Sequence, residues 1–162
     1  MDTIRIVFTP EEVAIGSTVG MMRRLIAIAK KRQDNYNIPP GDPYWEYDIN
    51  GALGEQAVAK ALGLYWNGNF GHFHDPDVGP YDVRTAKSFD LCCLVHQPDD
   101  DERVCISVVG SAPAFELVGW IWNHDAKVPR FWKDPKGKRP AFFVPNTRPP
   151  LQPMGTLPKI AG

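Results

Sequence analysis

A chain of 162 residues fits one domain with one core, because two separate units would each be short of buried surface. A hydrophobic fraction of 43%, with five Trp, eight Phe and five Tyr, supplies that core without metals or disulfide staples. The 18 basic and 19 acidic side chains leave a net charge of -1, which excludes a whole-molecule field drawing the protein onto nucleic acid or an anionic membrane; any such attraction has to be local.

Residues 4–8, IRIVF, read as a short strand. Thr9, Pro10, Glu11 and Glu12 then match a helix start: a capping hydroxyl, a proline in the first turn and acids at the positive end of the dipole. The helix is expected to run through VGMMRRLIAIAKKR, with Met21, Met22, Leu25 and Ile26 as core contacts and Arg23, Arg24, Lys30, Lys31 and Arg32 as a positive surface open to DNA. NYNIPPGDP, residues 35–43, stops it as a loop. A second helix is expected over GALGEQAVAKALG, residues 51–63, with Leu53, Ala57 and Ala61 on one stripe and Gly63 as its stop.

Strands dominate the second half of the chain. VGPYDVRTA, LCCLVH, VCISVVG and FELVGWIW are β-rich runs separated by turn material, and the acidic block Asp99 to Glu102 reads as a solvated hairpin turn. Residues 127–150 form a basic, proline- and aromatic-rich extension of a single domain spanning 1–150, and 151–162 read as a flexible C-terminal tail. The expected class is therefore α/β in the α+β sense: a mixed, largely antiparallel central sheet flanked by helices. Cys92, Cys93 and Cys105 are odd in number and lack the spacing of a zinc ligand set, so buried thiols are expected rather than a disulfide framework. No run reaches the ~20 apolar residues of a membrane span, and the acidic start lacks the order of a signal peptide, so the expected compartment is the cytoplasm.

The stretch VGPYDVRTA carries the chemistry. Strand alternation places Asp82 and Arg84 on one face, and Asp77, just before the turn, can bring a second carboxylate to the mouth of the hairpin. Two close carboxylates repel, and a hard divalent cation such as Mg²⁺ or Mn²⁺ relieves them. Beside such a metal a cationic side chain steadies the charge that phosphodiester hydrolysis builds on phosphate. Glu55, in an otherwise small and apolar helix, is available as a third acid. An acid and an arginine two apart on a strand also make an ordinary surface pair, which contributes little.

GALGE followed by PDVGPYDVRT resembles the core of the PD-(D/E)XK, or restriction-endonuclease-like, nuclease superfamily, and the chain from Gly51 to about Pro145 is similar to small proteins of tailed phages and prophages. The resemblance implies a restriction-endonuclease-like core. It assigns Glu55, Asp77 and Asp82 to metal and water, and Arg84 to the position of the catalytic lysine. It also implies a Mg²⁺- or Mn²⁺-dependent phosphodiesterase acting on DNA in the host cytoplasm. Arg84 departs from the pattern, since a guanidinium binds phosphate through a planar fork but does not shuttle a proton. Lys87 falls on the other strand face unless the chain bends after Thr85. The alternative is a phage accessory protein that has kept the fold and works by binding nucleic acid or a host protein, one of host defence included. Phosphate contacts are expected from Lys87, Lys133, Lys136, Lys138 and Arg139. His72, His74 and Asp75 form a poor zinc pattern and are read as a turn approach, and His96 and His124 have no neighbouring nucleophile.

Overall fold

The computed structural model describes residues 1–30, 43–70, 74–135, 137 and 139–161. Strand β1 (Ile4–Val7) leads into helix α1 (Pro10–Ala29), whose start is the capping box expected at Thr9: the Thr9 hydroxyl accepts from the Glu12 amide at 3.2 Å and the Thr9 amide donates to the Glu12 carboxylate at 2.9 Å. The expected continuation through Lys31 and Arg32 lies outside the described residues.

Helix α2 (Pro43–Leu62) begins eight residues before the expected start at Gly51. Its first turns are held against α1: Asp48 pairs with Arg24 at 3.3 Å, and the Arg24 guanidinium lies 4.8 Å from the centre of the Tyr44 ring. Local composition does not disclose those contacts. Gly63, with φ of 66°, ends the helix as expected. The two helices approach closely at Gly16 and Gly20; a methyl group on Gly20 would sit 2.4 Å from the Cα of Ile49.

The remaining strands are β2 (Tyr81–Ala86), β3 (Cys93–Val95), β4 (Val104–Ser111), β5 (Ala114–Trp122), β6 (Trp132–Lys133) and β7 (Ala141–Val144). The central sheet has the order β1-β5-β4-β2; its β1-β5 and β5-β4 pairs are antiparallel and β4-β2 is parallel, so it is mixed and largely antiparallel as expected. A smaller antiparallel sheet, β3-β7-β6, is built from the run at 93–95 and the 127–150 extension. The fold is α+β.

Two buried clusters divide the faces of the central sheet. Val83, Val104, Ile106, Val108, Phe115 and Leu117 pack with Leu53, Ala57 and Val58 of α2. Cys105, Val109, Val118 and Ile121 pack with Cys93, Val95, Phe142 and Val144 of the smaller sheet. Hence β4, covered on both faces, carries a nearly unbroken buried run rather than an alternating one. A register shift at Ser107/Val108, opposite Gly119 and Leu117, leaves Val118 unmatched and lets β5 serve both clusters. The sheet is therefore covered by helix on one side and by a second sheet on the other.

The expected loose tail is packed instead. Leu151 and Met154 are buried, Gln152 and Trp120 exchange backbone hydrogen bonds at 3.1 and 2.7 Å, and the Tyr81 hydroxyl donates to the Pro158 carbonyl at 2.7 Å. The segment covers the open end of β5 because Trp120 needs both apolar cover and an acceptor, which the Pro153 carbonyl supplies at 2.9 Å. A second correction concerns α1: Met21 and Leu25 are 40% and 43% exposed, because the core-facing side of the helix is the one bearing Gly16, Gly20 and Arg24. Among the described residues, no helix is long and apolar enough to cross a membrane.

Candidate functional site

The site begins at a tight turn. Val78 to Tyr81 closes it through the Tyr81 amide donating to Val78 at 2.9 Å and the Val78 amide to Tyr81 at 3.1 Å, with Gly79 at φ of 53°, a conformation that favours glycine. The turn brings Asp77 alongside β2, an edge strand. There one Asp77 carboxylate oxygen accepts the Val83 amide at 2.8 Å and lies 3.5 Å from the Arg84 guanidinium.

Glu55 reaches toward the same region from α2, the helix packed on β2. It is 8% exposed and holds Arg23 of α1 in a two-point pair at 2.7 and 3.0 Å, while the Trp66 indole N–H donates to it at 3.2 Å. Burial works against the Arg23 charge, but the bond to Glu55 and the charges of Glu55, Asp77 and Asp48 outweigh it and raise the guanidinium's pKa. Arg23 thus serves as the cation of a small acidic centre.

Asp82 belongs to the other face of the sheet. Alternation turns Tyr81 and Val83 toward α2 and Asp82 and Arg84 toward the smaller sheet. Asp82 is 5% exposed, accepts from the amide of fully buried Asn123 at 3.1 Å, and faces Arg103 at 3.4 Å. Arg84 donates through Nε to the Leu94 carbonyl of β3 at 2.9 Å and through Nη2 to Asp99 at 3.0 Å. Burial opposes its charge, yet the negative groups around it, Cys105 when ionised and then Asp99, Asp77 and Asp82, raise its pKa further.

Asp77 stands between these two half-sites. Burial first, and the charge of Glu55 second, push its carboxyl up to about 6, against the opposing pull of Arg84 and the Val83 amide. Glu55 and Asp77 therefore influence each other, as do Asp77 and Arg84, whereas Asp82 and Glu55 are on opposite faces of β2. Among the described residues, no group of three or more His, Cys, Asp or Glu side chains is gathered to hold one metal ion. Each of the three acids has an arginine partner: Glu55 has Arg23, Asp77 has Arg84 and Asp82 has Arg103. The period of the strand turns Asp82 away from the helix that carries Glu55.

Several partners escape a reading of the sequence. Arg23 and Arg24, expected as surface charge, are turned inward: Arg23 neutralises Glu55 and Arg24 faces Asp48. Asp99 sits in the acidic block expected as a solvated turn, yet it binds Arg84 and the His96 amide at 2.8 Å. Asp101, from the same block, pairs with Lys127 at 2.6 Å, whose ammonium also donates to the Gln97 carbonyl at 2.9 Å. Arg103 and Asn123 carry no motif; only the path of β4 and β5 brings them to Asp82.

Of the expected phosphate contacts, Lys87 is ion-paired with Glu46, Lys133 is exposed on β6 beside exposed Trp132, and Arg139 is half-buried and contributes to the field at His96. Lys136, Lys138 and His72 lie outside the described residues. No protein-family model, curated protein or solved structure matches the chain.

Proposed function

We propose that this chain is a restriction-endonuclease-like domain that works by binding nucleic acid, DNA foremost, in the host cytoplasm, rather than by hydrolysing it. One observation carries the reading. Glu55 and Asp77, the carboxylates that approach each other, already have guanidinium counter-ions: Arg23 at 2.7 Å from Glu55 and Arg84 at 3.5 Å from Asp77. A Mg²⁺ ion, which binds through one or two carboxylates, water and substrate phosphate, would have to displace Arg23 first. Asp82, the third acid, faces the smaller sheet and is engaged by Asn123 and Arg103.

The mixed four-stranded sheet, with the helix of Glu55 packed on the strand of Asp82 and Arg84, supports the nuclease-like part of the reading. Exposed Lys133 and Trp132 support the binding part, as a basic and aromatic edge suited to a phosphate backbone and an unstacked base. Hydrolysis at a two-carboxylate site is the second reading. It is favoured by the crowding at Asp77, whose carboxyl is held at about 6 beside Glu55 and would ionise fully around a divalent cation.

Three measurements separate the readings. Calorimetric titration with Mn²⁺ is expected to give no heat above dilution, and supercoiled plasmid incubated with Mg²⁺ or Mn²⁺ is expected to stay intact with wild type and Asp82→Ala alike. Fluorescence anisotropy with labelled DNA is expected to give saturable binding that weakens steeply with salt. Metal uptake with nicking lost in Glu55→Gln and Asp77→Asn would replace binding by hydrolysis. Absence of DNA binding, with one host protein recovered reproducibly, would move the partner to a protein.

A further inference from the structure

The buried thiols Cys93 and Cys105 belong to different sheets, on β3 and β4. Their sulfurs are 3.5 Å apart, and the residues are 2% and 1% exposed. Closing that contact to the ~2.05 Å of a disulfide requires the sulfurs to approach by about 1.5 Å. We propose that Cys93 and Cys105 form a reversible disulfide, with hydrogen peroxide as oxidant, that ties the smaller sheet to the central one.

The surroundings suit the chemistry. Arg84 reaches across the same inter-sheet space to the Leu94 carbonyl, next to Cys93. The contact with Cys105 first, and then the Arg84 charge working against burial, bring the Cys93 thiol below its usual range. The Cys93 contact and burial hold the Cys105 thiol well above its own, so Cys93 is the sulfur that ionises. Strand β3 is three residues long, lies at the edge of its sheet, and pairs there with β7. Local opening of this short edge strand is the route by which a molecule as small as peroxide would reach the thiols. The Cys93 thiolate attacks one peroxide oxygen; the O–O bond breaks, a sulfenic acid forms, and the departing hydroxide takes the proton released by Cys93 to become water. The Cys105 sulfur then attacks the sulfenic sulfur, the S–S bond forms, the S–O bond breaks, and a second water leaves with the Cys105 proton. Two thiols lose two electrons and one peroxide becomes two waters.

The bridge would fasten the strand that anchors Arg84, so oxidation stiffens the connection between the sheets without adding a contact to solvent. The test uses the whole reduced protein treated with excess hydrogen peroxide, then intact-mass measurement and peptide mapping after blocking residual thiols. The expected result is loss of two hydrogens, a single cross-link between the Cys93 and Cys105 peptides, full reversal by dithiothreitol, and the same result in Cys92→Ser. Thermal melting of the wild-type protein is expected to rise on oxidation and fall back on reduction. Three free thiols after treatment, a link through Cys92, or only irreversible oxygen addition would each overturn the proposal.

Discussion

The Asp77 carboxylate accepts the Val83 amide at 2.8 Å, so an acid outside the sheet takes the place of a neighbouring strand at the edge of β2. An edge amide otherwise points into solvent or toward another chain. The same oxygen faces Arg84, so the group that ends the sheet also pairs with the cation on its far side.

This double role has a cost that pH exposes. Asp77 is raised from 3.8 to about 6 in the folded protein, so between those values the native state holds more protons than the unfolded chain, and stability falls as pH rises through the window. Asp77→Asn keeps an acceptor for Val83 without the charge. It is expected to stabilise the protein at pH 7 by roughly 1–3 kcal/mol and to make no difference near pH 4, as read from urea midpoints.

His96 tilts the same window the other way. Burial and then the Arg84 charge hold it down at about 4, so the native state binds fewer protons than the unfolded chain and stability is lost as pH falls from 6.5 toward that value. Wild type is therefore expected to be nearly flat in stability between about pH 4.5 and 6, within roughly 1 kcal/mol. In Asp77→Asn the His96 slope stands alone, and stability is expected to climb across that interval. A flat profile in the variant would contradict the assignment.

Asp82 lies on the face packed against the smaller sheet, with Asn123 and Arg103 as its partners. Asp82→Ala leaves the buried Asn123 amide and Arg103 without their carboxylate and is expected to cost roughly 3–5 kcal/mol, measured by denaturant unfolding. Asp82→Asn, which keeps an acceptor for Asn123, is expected to cost about half as much. Equal loss in both variants would show that Arg103, and not Asn123, is the partner that matters.

Two glycines three residues apart on α2 are expected to respond with opposite signs. A methyl group at Gly51 meets nothing within 4 Å among the described residues, so Gly51→Ala is expected to stabilise by about 0.5–1 kcal/mol through helix propensity. At Gly54 it would sit 1.9 Å from the Thr85 hydroxyl, and Gly54→Ala is expected to destabilise by roughly 1–3 kcal/mol. Thr85→Ala should recover part of that loss in the double variant, because it removes the two nearest clashing atoms and leaves only the Cβ at 2.9 Å. Thermal melts of wild type, the two single glycine variants and the Gly54/Thr85 double variant are sufficient.

By itself the sequence determined the elements whose causes are local. The Thr9 cap, the Gly63 stop, the four β-rich runs and the α+β class arise from capping, backbone freedom and hydrophobic period, which neighbouring residues set among themselves. It also picked out Glu55 as an acid in an apolar helix, and Asp77, Asp82 and Arg84 by their spacing around a strand. Tertiary structure alone decided their partners. Arg23, 32 residues from Glu55, Asp99, 15 from Arg84, and Asn123, 41 from Asp82, meet them because the chain folds back; nothing in their own neighbourhoods marks them. The early start of α2 and the packed end of the chain have the same origin, since each is held by contacts made across the fold. Charge balance in a buried site is a property of the whole packed assembly, and a linear pattern specifies the acids long before it specifies which cations reach them.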